Sequence, residues 1–166
     1  DYGYTVDEDG FRKEMSAQKA MAREAIKNRE SSWANSEISV PAEVPATVFE
    51  GYEKLETEAE ILCILLPDGS SAQEATEGDS VIIVTDKTSF YAESGGQAGD
   101  RGEIETEGGA VLVSNVNKTS DGKWRHMGKV VHGSVCVSAK ATMKVNRQTR
   151  LATERNHSAT HLLQKA

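Results

Sequence analysis

Two stretches of this 166-residue chain carry side chains whose types and spacing could do chemistry. The first is RNHSATHLLQKA, where His157 and His161 stand four residues apart. On a helix, positions i and i+4 lie side by side, so two imidazoles at this spacing can share one divalent ion, most commonly zinc. The metalloprotease motif of the same spacing has a glutamate directly after the first histidine as general base. Here that position is Ser158, which removes that reading. Two histidines do not hold zinc firmly alone, and a surface pair without any ligand has the same pattern. The second stretch is DKTSFYAESGGQAGDRGEI, residues 86–104, where Gly95, Gly96, Gly99 and Gly102 mix with Ser94, Gln97, Asp100 and Arg101. Such glycines let backbone N–H groups approach a ligand, or merely permit a tight strand connection. With no GK[ST] and no helix following, it is neither a Walker loop nor a dinucleotide fingerprint.

The elements that must position these residues follow from periodicity. After Val145, RQTRLATERNHSATHLLQKA is helical, with Leu151, Ala152, Ala159, Leu162 and Leu163 on one side. Thr153, His157, Thr160, His161 and Gln164 share the polar side. A helix severed from its packing surface is marginal at this length, so fraying after about Arg155 is expected. Between Thr47 and Val145 the pattern is strands and turns: ATVFEGY, EILCILL, SVIIVTD, GEIETE, AVLVSNVNK, KWRHMGKVV and SVCVSAKATMKV. PDG, EGD, EGG and SDG punctuate them. In the last, Val135, Val137, Ala139, Ala141, Met143 and Val145 alternate with Cys136, Ser138, Lys140, Thr142 and Lys144, the period of a half-buried strand. Strands without intervening helices imply a small antiparallel barrel or a sandwich, and a barrel is the expectation. Upstream, Phe11, Met15, Gln18, Ala22 and Ala25 predict a helix over 7–30, capped by Thr5 and Glu8. Residues 31–45 form a connector that Trp33 pins to a neighbour.

Composition sets limits. No apolar run approaches the length of a membrane-spanning helix, ILCILL being the longest. The absence of a signal peptide and two widely spaced cysteines, Cys63 and Cys136, fit a reducing cytoplasmic setting; both read as small buried hydrophobes. Net charge is −7, yet from residue 140 onward Lys140, Lys144, Arg147, Arg150, Arg155 and Lys165 outnumber one acid, Glu154. That segment could face phosphates or simply be a solvated helix face. The chain opens on Asp1 and stops within a helical pattern, so an internal piece of a longer protein is expected.

TSFYAESGGQAGDRGEI and RNHSATHLLQKA, in this order and joined by a basic strand-to-helix stretch, resemble the alanyl-tRNA synthetases and their free-standing editing relatives. YTVDEDGFRKEMSAQKAMAREA resembles the synthetase segment that follows the tRNA-recognition helices, which favours the full synthetase. The resemblance implies a mainly β fold with flanking helices. Residues 1–34 would be a linker helix and 35–145 a small barrel similar to the second domain of elongation-factor GTPases. Residues 146–166 would begin an α+β editing domain.

It further implies a parent enzyme that charges tRNA(Ala) with alanine using ATP and Mg2+ at an upstream site. That enzyme would also hydrolyse Ser- and Gly-tRNA(Ala) at a zinc site, in the cytoplasm and not at a membrane. His157 and His161 match two zinc ligands, and Thr160 the threonine that discriminates the substrate amino acid. Gly95, Gly96 and Gln97 match a loop near the editing pocket. Lys140, Lys144, Arg147, Arg150 and Arg155 would contact the tRNA acceptor end. The family's CxxxH half of the zinc site is absent: Cys63, Cys136, His126 and His132 do not match it. The remaining ligands are expected beyond Ala166, in other domains of the same synthetase, leaving this piece inactive alone. A non-catalytic nucleic-acid-binding barrel and an interdomain spacer are the alternatives.

Overall fold

The computed structural model describes residues 38–94 and 97–165, with the backbone alone from residue 157 on. These residues belong to the second of two units along the chain, which begins at Glu37. The helix expected over 7–30, its Thr5–Glu8 cap, Trp33, Gly95 and Gly96 lie outside the described residues.

Five strands come first: β1 (Val48–Phe49), β2 (Glu56–Leu65), β3 (Ser71–Ala72), β4 (Glu74–Thr76) and β5 (Ser80–Thr85). β6 (Lys87–Thr88), β7 (Gly102–Thr106), β8 (Gly109–Lys118), β9 (Trp124–Cys136) and β10 (Lys140–Val145) follow, and then helix α1 (Arg147–Lys165). Six strands close an antiparallel barrel in the order β10–β7–β8–β9–β5–β2, with β10 returning to pair with β2. Closure leaves these six strands without a free edge, which is how a small sheet avoids templating other chains. The mainly β, barrel-type fold is thus as expected.

Two expected boundaries move. The last expected strand is two: β9 ends at Cys136, and β10 starts at Lys140 after a turn in which Ser138 takes φ 67°. Ile61 holds that turn, accepting from the Ser138 N–H at 2.7 Å and donating to the Ala139 carbonyl at 3.0 Å. Conversely, KWRHMGKVV and the following SVC form one strand, because Gly133 at φ 62° passes through a bulge against Gly108 instead of ending the ladder.

The barrel interior is filled by Ile61, Ile64, Ile83, Phe90, Ile104, Val111, Val116, Val130 and Met143, among others. A second apolar row lies on the outer side of the sheet, where Leu65, Ile82 and Met127 sit in register across β2, β5 and β9, all buried. The chain from Ile38 to Thr47 is fastened to β9 and the turn before it. Arg125 donates to the Ile38 carbonyl at 2.8 Å, Lys123 to that of Pro41 at 2.8 Å, and the Thr47 N–H to that of Gly122 at 3.0 Å. Cys63 is buried as expected, and its thiol is pushed up by desolvation, partly offset by Lys123. Cys136 corrects the expectation of a buried hydrophobe. It is exposed, because the alternation that turns Val135 inward turns its neighbour out.

Candidate functional site

The helix that carries the histidine pair begins in a well-made cap. Asn146 Oδ1 accepts the N–H groups of Gln148 at 3.0 Å and Thr149 at 3.2 Å, satisfying two of the donors a helix N-terminus leaves over. The first turn holds no acid, although carboxylates are the residues that complement the helix dipole there. The acid comes from elsewhere. Asp100, 4% exposed at its side chain, meets Arg150, 12% exposed, at the end of the glycine-rich stretch.

This contact is a clamp. Arg150 Nε donates to Asp100 Oδ1 at 3.0 Å and Oδ2 at 2.9 Å, and Nη2 also reaches Oδ2. Nη1 donates to the Gly51 carbonyl at 2.9 Å, and Nη2 to that of Ser89 at 2.8 Å. Four of the five guanidinium N–H groups are thereby engaged. Gly51 permits the convergence, since a Cβ there would lie 2.2 Å from the Ser89 carbonyl oxygen. Asp100 Oδ2 also accepts the Tyr91 N–H at 2.7 Å, and Asp100 returns its own N–H to the Tyr91 carbonyl at 2.9 Å. Removing either charged partner would strand the other in a buried setting, a loss on the order of 3–5 kcal/mol.

The glycine-rich segment between Tyr91 and Asp100 is a narrow loop. Ser94 and Gln97 exchange backbone hydrogen bonds of 3.2 and 2.9 Å, and the Glu93 N–H donates to the Val116 carbonyl at 2.7 Å. Gly99 and Gly102 are there for close approach. A Cβ at Gly99 would lie 2.5 Å from the Val116 carbonyl oxygen, and one at Gly102 only 2.0 Å from that of Lys144. For these two glycines, packing accounts for the residue choice. Gln97 is half-buried, and its neighbours Gly95 and Gly96 lie outside the described residues.

The basic residues do not form one surface. Lys140 and Lys144 project from β10 between β2 and β7, where their cross-strand partners are Glu60, Glu56 and Glu103. Glu58 and Glu105 complete a predominantly acidic barrel face. The Lys144 ammonium donates to Glu105, and this hydrogen bond, with the nearby carboxylates of Glu105, Glu56 and Glu103, raises its pKa. Arg150 is engaged in the clamp. Arg147 and Arg155 are exposed on α1.

For the metal, α1 has a continuous helical backbone through positions 157 and 161, which fits two imidazole ligands four apart. The described residues hold no group of three or more His, Cys, Asp or Glu suited to a metal ion. His126 is excluded by burial inside the barrel. Its Nδ1 lies 2.9 Å from the Ile83 carbonyl and its Nε2 2.8 Å from the Thr88 hydroxyl, with Phe90 edge-on at 5.4 Å. Burial pushes its pKa down to about 4. His132 is exposed on the far part of β9. His157, Thr160 and His161 therefore share one helix, linked through Arg150 to the glycine-rich loop. Sequence reasoning left the roles of Asp100 and His126 unassigned. The signal for Asp100 was an arginine in a helix first turn that has no acid of its own.

Comparison with known proteins adds to this geometry. Residues 1–149 match the family described as tRNA synthetases class II (A). The chain is 41% identical over 165 residues to an alanine–tRNA ligase of Acetivibrio thermocellus, covering 99% of this chain and 19% of the relative. It is 46% identical over 162 residues to that of Caldicellulosiruptor saccharolyticus, covering 97% and 18%. For that of Streptomyces avermitilis the figures are 43% over 169 residues, 99% and 19%. The chain thus spans under a fifth of the length of these relatives. With the family match extending from the first residue through the barrel into α1, the chain belongs to the class II (A) tRNA synthetases.

Proposed function

We propose that this chain is the segment of an alanine–tRNA ligase that joins its aminoacylation half to a zinc-dependent editing site. The parent enzyme charges tRNA(Ala) with alanine using ATP and Mg2+ upstream, and hydrolyses Ser- and Gly-tRNA(Ala) here. The observation that carries the reading is the clamp, which ties the SGGQAGD loop to the helix bearing HSATH through Asp100 and Arg150. The domain limits follow the sequence reading: 1–34 a linker helix, 35–145 the barrel, 146–166 the beginning of the editing domain.

His157 and His161 supply two of the ligands, the others coming from beyond residue 166. Bound there, zinc would orient the charged aminoacyl group or activate water for ester hydrolysis. Thr160 biases the pocket toward serine with its hydroxyl, and Gly95, Gly96 and Gln97 line the approach. Among the basic residues, exposed Arg147 and Arg155 are the ones free for acceptor-end phosphates. Lys140 and Lys144, among five carboxylates, serve the barrel. The acidic face also weighs against a barrel that binds nucleic acid nonspecifically, since that requires a basic track. The protein acts in the cytoplasm.

The test compares this chain with one extended by about 200 residues, generous for one further domain. Each is incubated with serine-charged tRNA(Ala), with and without a zinc chelator. Hydrolysis by the extended chain alone, lost with chelator, is expected. A folded, zinc-loaded extension that does not hydrolyse the ester would refute the editing assignment.

A further inference from the structure

We propose that Arg150 and Asp100 are positioning residues for the hydrolytic site, setting the angle at which α1 leaves the barrel. The catalytic consequence rests on the function proposed above; the geometric one does not. Among the described residues from 147 to 155, Arg150 alone sends a side-chain hydrogen bond from α1 to the barrel. The helix is therefore a lever held near one end. Position 157 lies about 10 Å and position 161 about 16 Å beyond Arg150 at 1.5 Å per residue. A tilt of roughly 10° at the anchor would displace position 161 by about 3 Å. Misplacement by about 1 Å can already cost ~100-fold in rate, so the anchor's angular stiffness matters.

The clamp supplies that stiffness through its shape. The planar guanidinium is gripped from three sides, by the Asp100 carboxylate, the Gly51 carbonyl and the Ser89 carbonyl. An ammonium of the same charge has no plane to fix. Asp100 is itself immobilised by the Tyr91 N–H, so the loop and the helix share one reference point. Charge alone is not sufficient under this proposal. Arg150→Lys and Asp100→Asn should both loosen the lever while the barrel stays folded.

The experiment places one spin label on exposed Cys136 and another on a cysteine introduced at Gln164, with buried Cys63 replaced by alanine. The parent chain should give one narrow distance distribution, and both variants should broaden or shift it by several ångströms. Far-UV circular dichroism confirms that the barrel is retained. Unchanged distributions in both variants would overturn the proposal. The same substitutions then go into the full-length synthetase, with aminoacylation as the folding control. Deacylation kcat should fall at least 10-fold with KM for the charged tRNA little changed, and Arg150→Lys should not recover what Arg150→Ala loses. Altered distances with undiminished kcat would reduce the clamp to a fold-stabilising role and refute positioning. If the unsubstituted enzyme fails to deacylate, the editing reading falls, while the distances still decide the geometry.

Discussion

The buried imidazole of His126 makes the stability of this barrel acid-sensitive, in an amount that follows from its surroundings. The ring is fully buried, so protonation would place a charge in an apolar interior. The hydrogen bonds also specify the neutral form. Nδ1–H donates to the Ile83 carbonyl, and Nε2 accepts from Thr88 Oγ1, which in turn accepts the Phe90 N–H at 3.0 Å. A second ring proton would oppose the Thr88 hydroxyl proton. With the folded pKa held at about 4 against 6.5 for the free side chain, the unfolded chain takes up the proton first as pH falls. Stability from this group is whole above pH ~6.5 and declines on acidification through the interval down to pH ~4. The loss is about 2 kcal/mol by pH 5 and about 3 kcal/mol by pH 4.

Urea unfolding followed by circular dichroism at pH 7.5, 6, 5 and 4.5 measures this loss. His126→Gln, which keeps a donor and an acceptor but cannot titrate, serves as the reference and cancels the carboxylates common to both proteins. The wild-type curve should fall relative to the variant by about 2 kcal/mol between pH 7.5 and 5. Parallel curves over that range would refute the reasoning, as would an imidazole titration near 6.5 in a folded-state NMR experiment.

Further outcomes follow from the same geometry. Thr88→Val removes the hydroxyl shared by His126 and the Phe90 N–H, and should cost about 1–3 kcal/mol in chemical denaturation. Gly102→Ala, which would drive a Cβ onto the Lys144 carbonyl and the Phe90 ring, should lower stability by about 3 kcal/mol or prevent closure at β7–β10. Lys144→Met should change stability by less than about 1 kcal/mol despite its contact with Glu105, because both side chains are about two-fifths exposed. Calorimetric titration of the 166-residue chain with zinc should show weak binding that His157→Ala abolishes; tight binding unaffected by that change would refute the half-site.

What could be read from the residues was whatever repeats locally. The inward set Val135, Ala141, Met143 and Val145 emerged from alternation, and glycines at positive φ in the PDG, EGD and SDG turns marked three strand ends correctly. The turn at Ser138 was hidden because a serine occupies the left-handed conformation that glycine usually advertises. β3, β4 and β6, two or three residues each, are shorter than any period that could reveal them. The site was harder to read for a different reason. A run of lysines and arginines is basic along the chain, but a barrel places each residue beside strands far away in sequence. The partners of Lys140 and Lys144 come from residues 56–60 and 103–105, so the segment's positive charge vanishes into an acidic face. Arg150 finds its carboxylate 50 residues upstream. Linear charge therefore overstated the phosphate-binding surface, while the clamp that unites the two motifs became visible only when both of its halves had folded.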